Sequence, residues 1–287
     1  MVAAGVLERV AAIPVEGIMP AEPATPVRRP RVLITGASGG IGEAFAHIVA
    51  DEGFDLVVVA RQEGELNRVR GIIAARHPAL NIAVIARDLS EPGAVQQIHD
   101  ELKQRDLLPD IVVNNAGYGL LGQQATLPVD GQLGIVDVNV RALTDMCLRF
   151  LPHMLARQGG GILNIASTAA FMPGPYMAVY YASKAFVLSF SEGLAAELER
   201  TGVTVTVLCP GPVVTGFQAR AGMRSFGLLQ RMMALPARDV ALAGWEGFKQ
   251  RRRVVIPGFL NATAALAASY APRFLSLPII RSLQAPR

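Results

Sequence analysis

Cysteine is almost absent from this sequence: the 287 residues include only Cys147 and Cys209. Two cysteines are too few for the disulfide framework of a small secreted domain. Their neighbours, Asp-Met-Cys-Leu and Val-Leu-Cys-Pro, are typical of a buried helix and a buried strand, so we expect no metal site. Glu8, Arg9 and Glu16 occupy the region where a signal peptide needs an apolar core. We therefore expect no secretion signal and a cytoplasmic, reducing environment.

Charged residues are also scarce, at 17% of the chain, whereas 51% of the residues are hydrophobic and the mean hydropathy is +0.35. So apolar a composition excludes a disordered chain and raises the question of a membrane span. The longest stretches without charge, residues 158–183 and 254–272, are interrupted by proline, glycine and asparagine. A bilayer-spanning helix does not tolerate such interruptions, and we expect a packed globule without a transmembrane span.

The few charges are unevenly distributed. Residues 1–219 hold 16 basic and 21 acidic side chains, whereas residues 220–287 hold 11 and 2. An excess of positive charge can attract nucleic acid, an anionic membrane or a phosphorylated ligand. The segment lacks the interleaved aromatic and basic residues of a nucleic-acid groove, so no nucleic-acid partner is expected. Solvated arginines on a surface helix are the simpler interpretation.

Short apolar runs alternate with amphipathic stretches from Arg31 onwards. The runs are continuous, as required of strands that are covered on both faces. Strands and helices in this order predict an α/β fold, a doubly wound parallel sheet of about seven strands with helices on both faces. The predicted strands are 32–35, 56–60, 82–86, 111–114, 162–166, 203–209 and 254–257, and the predicted helices are 41–52, 65–77, 94–105, 133–156 and 180–200.

The pattern predicts one domain over residues 31–258. Residues 1–30, with five prolines after residue 13, form a loose arm in this interpretation. Residues 259–287 form an apolar and basic extension, which could be an interfacial anchor, an oligomer contact or a flap over a substrate opening. Because Pro272 and Pro278 interrupt a helical period, packing on the same chain or on a neighbouring subunit is favoured.

A glycine-rich turn, Thr35-Gly36-Ala37-Ser38-Gly39-Gly40-Ile41-Gly42, connects the first strand to the first helix. Glycine lets a pyrophosphate approach the backbone N–H groups at a helix N-terminus, where the helix dipole favours anions. The spacing differs from G-x-G-x-x-G, and the Gly-Lys-Ser/Thr of a nucleotide-triphosphate loop is missing, which disfavours an ATPase. The turn predicts a dinucleotide site.

Arg61 follows the second strand and has no acidic neighbour. An acid near this point accepts the ribose hydroxyls of NAD, whereas the 2′-phosphate of NADP attracts arginine. The position therefore favours NADP(H) over NAD(H), although a surface arginine at a helix start is the alternative. Asp88 and Leu89, after the third strand, are placed to meet the adenine.

Tyr180 and Lys184 lie four residues apart, on one face of a predicted helix. An ammonium group near a phenol favours the phenolate and lowers the tyrosine pKa, which would make Tyr180 a useful proton donor. Lysine is rare here, three among 27 basic residues, so an ammonium at this position has a specific purpose in our interpretation. Tyr181 is the rival tyrosine.

Together these motifs resemble the short-chain dehydrogenase/reductase family over about residues 31–258. The resemblance implies a single Rossmann domain, a nicotinamide cofactor and hydride transfer between that cofactor and a carbonyl or alcohol carbon. It also implies a homodimer or homotetramer formed through the long helices. The shared residues are Thr35-Gly36-x-x-x-Gly40-x-Gly42, Asn114-Asn115-Ala116-Gly117, Asn139, Ser167, Tyr180-x-x-x-Lys184 and Pro210-Gly211.

The same resemblance implies a role for each residue of the site. Tyr180 would be the general acid or base, Lys184 would lower its pKa and hold the nicotinamide ribose, Ser167 would bind the substrate oxygen, and Asn139 would hold a proton-relaying water. The implied cofactor contacts are Gly36, Ser38, Gly40, Ile41, Gly42, Arg61, Asp88, Leu89, Asn115, Ala116, Gly117, Tyr180, Lys184, Pro210, Gly211, Val213 and Thr215.

The substrate contacts would come from the loop before Tyr180 and from a lid at about residues 215–235. Both segments are apolar and rich in methionine and phenylalanine, which favours a bulky hydrophobic ketone or secondary alcohol. The predicted substrate contacts are Phe171, Met177 and Phe217. Packing of the lid onto the core explains the same residues equally well. The leading hypothesis is an NADP(H)-dependent carbonyl reductase or alcohol dehydrogenase. The alternatives are a 3-oxoacyl thioester reductase, which arginines in the lid would suit, and a non-catalytic dinucleotide-binding sensor.

Overall fold

A computed structural model describes residues 28–217, 221–222 and 232–284 of the chain. The described strands are β1 (Arg31–Thr35), β2 (Asp55–Ala60), β3 (Ile82–Ala86), β4 (Ile111–Asn114), β5 (Gly161–Ile165), β6 (Thr204–Leu208), β7 (Val213–Val214), β8 (Leu235–Pro236) and β9 (Val254–Val255). The described helices are α1 (Gly40–Asp51), α2 (Glu63–Arg76), α3 (Ala94–Gln104), α4 (Val129–Val136), α5 (Leu143–Ala156), α6 (Ala178–Glu197), α7 (Ala237–Lys249), α8 (Phe259–Tyr270) and α9 (Arg273–Gln284).

Seven of the strands form one parallel sheet in the order β3-β2-β1-β4-β5-β6-β9. Side chains of a strand alternate between its two faces, and here both faces are buried. In β1, Val32 and Ile34 pack on the side of α1, α2 and α7, whereas Leu33 packs on the side of α3, α5 and α6. The continuous apolar runs are explained by these two hydrophobic layers, and the predicted doubly wound sheet is confirmed.

The strand order reverses between β1 and β4, because β2 continues the sheet on one side of β1 and β4 on the other. Ligands of open parallel sheets bind beyond the carboxyl ends of the strands at such a reversal. The glycine-rich turn after β1 and the Asn-Asn-Ala-Gly segment after β4 both leave the sheet at this point.

The helix predicted over residues 133–156 begins earlier and is not regular. It runs from α4 through a π-helical turn, Asp137–Ala142, into α5. Turns of this type insert one extra residue into a helix and are frequent at functional sites. The structure also contains α7 and the short parallel pair β7–β8, neither of which the sequence analysis predicted.

Helices α8 and α9 account for most of the described residues after position 258. The helices break at Ala271, before Pro272, whereas Pro278 is accommodated inside α9. Asn261 fixes α8 to the domain, because its Nδ2 donates to the carbonyls of Pro257 at 3.0 Å and Met233 at 3.1 Å. Gly211 leaves the room for this contact, since a Cβ there would lie 2.1 Å from Asn261 Oδ1. None of the described helices is long and apolar enough to cross a membrane.

Candidate active site

A cavity of about 470 Å³ opens at the carboxyl ends of the central strands, within the size range of small-molecule sites. Most of the residues predicted from the sequence line it, although they come from loops spread over the whole sheet. They are Gly36, Ser38, Gly40, Ile41, Arg61, Asp88, Leu89, Asn115, Ala116, Gly117, Ser167, Met177, Tyr180, Lys184, Pro210, Gly211, Val213, Thr215 and Phe217.

Three predicted residues lie behind the cavity wall. Gly42 is buried in the first turn of α1, and Asn139 is fully buried in the π-helical turn. Phe171 packs against the hydrophobic layer of α3, α5 and α6. The predicted lid lies partly outside the described residues, including Arg220, Met223, Arg224, Phe226, Leu228, Leu229 and Arg231.

The glycine-rich turn is shaped for a close approach to backbone. Gly36 and Gly40 have φ values of +66° and +58°, in the left-handed region where a side chain causes strain. A Cβ on Gly42 would lie 2.3 Å from the carbonyl oxygen of Gly36 and 2.5 Å from Asn115 Nδ2. Because the turn leads directly into α1, its N–H groups lie at the positive end of the helix dipole, and the Ala37 N–H among them donates to the Val59 carbonyl at 3.3 Å.

Thr35 and Asn115 join the ends of β1 and β4. The hydroxyl of Thr35 accepts hydrogen bonds from the backbone N–H groups of Asn115 and Ala116, both at 3.0 Å. The Asn115 amide donates in return to the carbonyls of Thr35 at 2.9 Å and Gly36 at 3.2 Å. These bonds hold the glycine-rich turn in position relative to the Asn-Asn-Ala-Gly segment.

Arg61 and Asp88 form the other end of the cavity. The Arg61 side chain is 70% exposed, and its Nη1 lies 3.7 Å from Asp88 Oδ2. Asp88 Oδ1 accepts hydrogen bonds from the Ser90 backbone at 2.9 Å and hydroxyl at 2.7 Å. Partial burial by itself would raise the pKa of Asp88, but Ser90 and Arg61 outweigh it and hold that pKa below its ordinary value. The exposed guanidinium of Arg61 is therefore accessible to an incoming anion.

Tyr180, Ser167 and Lys184 meet at the inner end of the cavity. Ser167 begins the 3-10 turn Thr168–Phe171. Its hydroxyl accepts from the Ala169 N–H at 3.1 Å, donates to the Pro210 carbonyl at 3.4 Å, and lowers the pKa of Tyr180. The Lys184 amine lies 5.9 Å from the centre of the Tyr180 ring and donates to the carbonyl of Ile165 at 2.8 Å. A phenol and a hydroxyl that meet in this way can bind one oxygen atom of a ligand together.

Burial dominates the acid–base behaviour of the pair. It raises the pKa of Tyr180 to about 12, against the smaller effect of the Ser167 hydrogen bond, and lowers the pKa of Lys184 to about 8. The spacing of Tyr180 and Lys184 predicted that the ammonium would lower the tyrosine pKa. In the structure the loss of hydration is the larger influence, because both groups are removed from water.

Asn139 holds the segment in front of Lys184. Its Oδ1 accepts from the Tyr118 N–H at 3.1 Å, and its Nδ2 donates to the Tyr118 carbonyl and the Ser183 hydroxyl, both at 3.0 Å. Gly117 is close to both side chains, since a Cβ there would lie 3.0 Å from Asn139 Oδ1 and 3.3 Å from Lys184 Nζ. Asn139 therefore fixes Gly117 and Tyr118 against α6.

Aromatic and sulfur-containing side chains surround the outer face of Tyr180. The rings of Phe217 and Tyr181 lie 5.5 Å and 6.0 Å from its ring, and Met177 lines the cavity beside them. Tyr118 and Gln284 also line the cavity and were not predicted. Tyr118 directly follows the Asn-Asn-Ala-Gly motif, which could have pointed to it, whereas no local pattern marks Gln284.

The two cysteines are buried free thiols, and burial raises the pKa of each to about 12. Among the described residues, no group of three histidine, cysteine, aspartate or glutamate side chains could hold a metal ion.

Two curated proteins illustrate the relatives of this chain. It is 34% identical over 197 residues to "Probable oxidoreductase EphD" of Mycobacterium tuberculosis, covering 68% of this chain and 33% of EphD. This chain thus spans about a third of the length of EphD. It is also 34% identical over 216 residues to sulfoacetaldehyde reductase 2 of Chromohalobacter salexigens, covering 73% of this chain and 84% of that protein.

Solved structures share the fold over most of the chain. A short-chain dehydrogenase from Sphingobium yanoikuyae in complex with NADPH has a TM-score of 0.75 at 30% identity, covering 90% of this chain and 98% of that one. A short-chain dehydrogenase/reductase from Burkholderia phymatum in complex with NAD has a TM-score of 0.73 at 27% identity, with the same coverage. The bulky-bulky ketone specific alcohol dehydrogenase from Comamonas testosteroni has a TM-score of 0.70 at 26% identity, covering 90% and 95%.

A sequence model of one family, described as short chain dehydrogenase, matches residues 30–224. This match includes the glycine-rich turn, the Asn-Asn-Ala-Gly segment and the Tyr-x-x-x-Lys pair, and the sheet topology agrees with it. The chain therefore belongs to the short-chain dehydrogenase family.

Proposed function

We propose that this protein transfers hydride between NADP(H) and a bulky hydrophobic ketone or the corresponding secondary alcohol, with Tyr180 as general acid and base. The observation that carries the proposal is the convergence of Tyr180, Ser167 and Lys184 in one cavity that the glycine-rich turn also lines. A proton donor and a dinucleotide cradle within one cavity suit a carbonyl reductase or alcohol dehydrogenase.

The residues present fit a dinucleotide. The turn around Gly36 and Gly40 offers backbone N–H groups to the pyrophosphate, and the lack of a Cβ at Gly42 keeps the turn close to β4. Asp88 and Leu89 would hold the adenosine end, and Lys184 with the 210–215 segment would hold the nicotinamide end. When bound, the cofactor supplies or accepts the hydride.

In the direction of reduction, the Ser167 hydroxyl would bind the carbonyl oxygen and Tyr180 would donate its phenolic proton to that oxygen. With a pKa raised to about 12, Tyr180 carries this proton at neutral pH. Lys184, whose pKa is lowered to about 8, gives up a proton easily and would restore the phenol after each turnover. Asn139 would keep this relay in position through Tyr118 and Ser183.

Arg61 supports the preference for NADP(H). Arg61 lines the cavity at the end of β2 and is 70% exposed. Its 3.7 Å contact with Asp88 leaves the guanidinium accessible to an added phosphate. The similar structures include complexes with NADPH and with NAD, so the preference rests on Arg61 itself.

The apolar surroundings of Tyr180 support a bulky hydrophobic substrate. Met177, Tyr181 and Phe217 present adaptable and aromatic surface at this end of the cavity. The Comamonas enzyme, described as specific for bulky-bulky ketones, has the same fold over 90% of the chain.

A substrate panel tests the proposal. Aryl ketones, long alkyl ketones, small polar ketones and 3-oxoacyl thioesters are offered with NADPH and with NADH, and cofactor absorbance is followed. We expect the highest kcat/KM for the aryl or long alkyl ketones with NADPH. Faster turnover of small polar ketones would refute the substrate class, and faster turnover of thioesters would favour the lipid-metabolism alternative.

We also propose a division of the chain into an arm (1–30), a catalytic domain (31–258) and an extension (259–287), and a cytoplasmic homodimer or homotetramer. Exposed apolar side chains on the long helices support the assembly, among them Leu148 on α5, 54% exposed, and Phe186 on α6, 41% exposed. Light scattering after size-exclusion chromatography would give the subunit count, and a monomer at micromolar concentration would refute the assembly.

A further inference from the structure

The last described residue of α9 reaches the substrate end of the cavity. Gln284 is half-buried, lines the cavity, and donates a hydrogen bond from Nε2 to the hydroxyl of Tyr181, which lies 103 positions earlier in the chain. Helix α9 therefore contributes a polar side chain to the lining of the cavity.

Among the described residues, this pair still has an acceptor and a donor without a hydrogen-bond partner. Gln284 Oε1 is buried and has no donor there, which is unusual for an amide oxygen in a folded protein. The Tyr181 oxygen accepts the bond from Gln284 and keeps its own proton to donate. Burial raises the pKa of Tyr181, so this proton is retained at neutral pH.

An acceptor and a donor side by side fit one kind of group best. A hydroxyl group can donate to Gln284 Oε1 and accept from Tyr181 at the same time, whereas an ether or a methyl group cannot do both. The pair lies close to Tyr180, since the ring centres of Tyr180 and Tyr181 are 6.0 Å apart and the two rings are nearly perpendicular.

We infer that Gln284 and Tyr181 form a subsite for a hydroxyl group on the substrate, remote from the carbonyl that is reduced. The preferred substrate is then a largely apolar hydroxy ketone, or in the reverse direction a diol. This inference rests on the proposed function, because it assigns the far end of the same substrate.

The test uses a homologous series of ω-hydroxy methyl ketones, each paired with the methyl ketone that carries a methyl group in place of the terminal hydroxyl. At the best chain length, the wild-type protein is expected to prefer the hydroxy ketone about tenfold in kcat/KM. Gln284→Leu should reduce the preference to about one. Gln284→Glu, which keeps an acceptor oxygen but loses the N–H group that donates to Tyr181, should retain only part of it. Tyr181→Phe should weaken the preference, and combining it with Gln284→Leu should add little further loss.

Ser282→Ala is the control on the same helix, because Ser282 is exposed and does not line the active-site cavity. It should keep the wild-type preference, which separates the loss of a hydrogen bond from a displaced α9. The inference is overturned if the wild-type protein shows no preference at any chain length, or if Gln284→Leu keeps it. Absence of turnover for both members of every pair would instead refute the proposed function, and this inference with it.

Discussion

Lys184 should destabilise the folded protein at neutral pH, and its replacement by methionine should therefore stabilise it. Lys184 is 5% exposed, and burial lowers its pKa from the ordinary 10.5 to about 8. Lys184→Met keeps a long, flexible side chain in the same space and removes the charge.

The magnitude follows from the pKa difference. A drop of about two and a half pKa units corresponds to about 3 kcal/mol of unfavourable free energy at neutral pH, where the amine is charged in both states. Methionine also loses the hydrogen bond from Lys184 to Ile165, worth about 1 kcal/mol. The net expectation is a gain of about 2 kcal/mol in the free energy of unfolding, or about 5 °C in Tm.

The pH dependence gives the sharper test. Because the folded pKa lies below the unfolded one, the full penalty is present below pH 8, and the wild type regains stability as pH rises from 8 towards 10.5. The advantage of Lys184→Met in urea unfolding followed by circular dichroism should therefore be large at pH 7 and small at pH 10.5. Comparing the variant with the wild type at each pH cancels the contributions of the other titrating groups to the free energy of unfolding.

Lys249→Met is the matched control. Lys249 is half-exposed and paired with Glu52 at 2.7 Å and Glu246 at 2.8 Å, which raise its pKa. Its loss should lower the free energy of unfolding by at most about 1 kcal/mol. The reasoning is refuted if Lys184→Met is less stable than the wild type at pH 7, or if its advantage does not change with pH.

Three further substitutions test the rest of the site. Arg61→Asp should lower the preference for NADPH, measured as its kcat/KM divided by that of NADH, at least tenfold. Arg70→Asp, on the exposed face of α2, should leave the preference unchanged. If Arg61→Asp leaves it unchanged too, the 2′-phosphate is recognised elsewhere. Gly42→Ala should lower the free energy of unfolding in urea by about 2 kcal/mol and weaken NADPH binding. Gly64 has open space around it, so Gly64→Ala should leave that free energy unchanged or raise it. Equal effects of the two substitutions would contradict the tight turn. Asn139→Ala should lower the free energy of unfolding by about 2 kcal/mol, and it should reduce kcat by a larger factor than it changes KM. A variant with wild-type kcat would contradict the proposed role of Asn139.

Local patterns predicted the sheet and most of the cavity lining. A strand covered on both faces must be apolar throughout, so each strand could be recognised as an apolar run. The glycine-rich turn and the Tyr180–Lys184 pair are each encoded within a few residues. The order of the strands then brings distant loops to one edge. Phe171, predicted at the substrate, is partly buried and packs against the hydrophobic layer of α3, α5 and α6, and its contact with the substrate stays a prediction.

Features that depend on distant partners could not be predicted. Gln284 belongs to the site only because α9 folds back onto Tyr181. The π-helical turn accompanies the buried hydrogen bonds of Asn139 to Tyr118, 21 residues away. The raised pKa of Tyr180 depends on its burial, which no short motif reveals.

The most direct test of the account is the fate of deuterium carried at C4 of NADPH on the transferring face. With an aryl ketone as acceptor, mass spectrometry should find deuterium at the carbinol carbon of the alcohol formed by the wild type. Tyr180→Phe should form almost none while binding NADPH with nearly unchanged affinity. Formation of labelled alcohol by Tyr180→Phe at the wild-type rate, or NADPH oxidation by the wild type without labelled alcohol, would contradict the account.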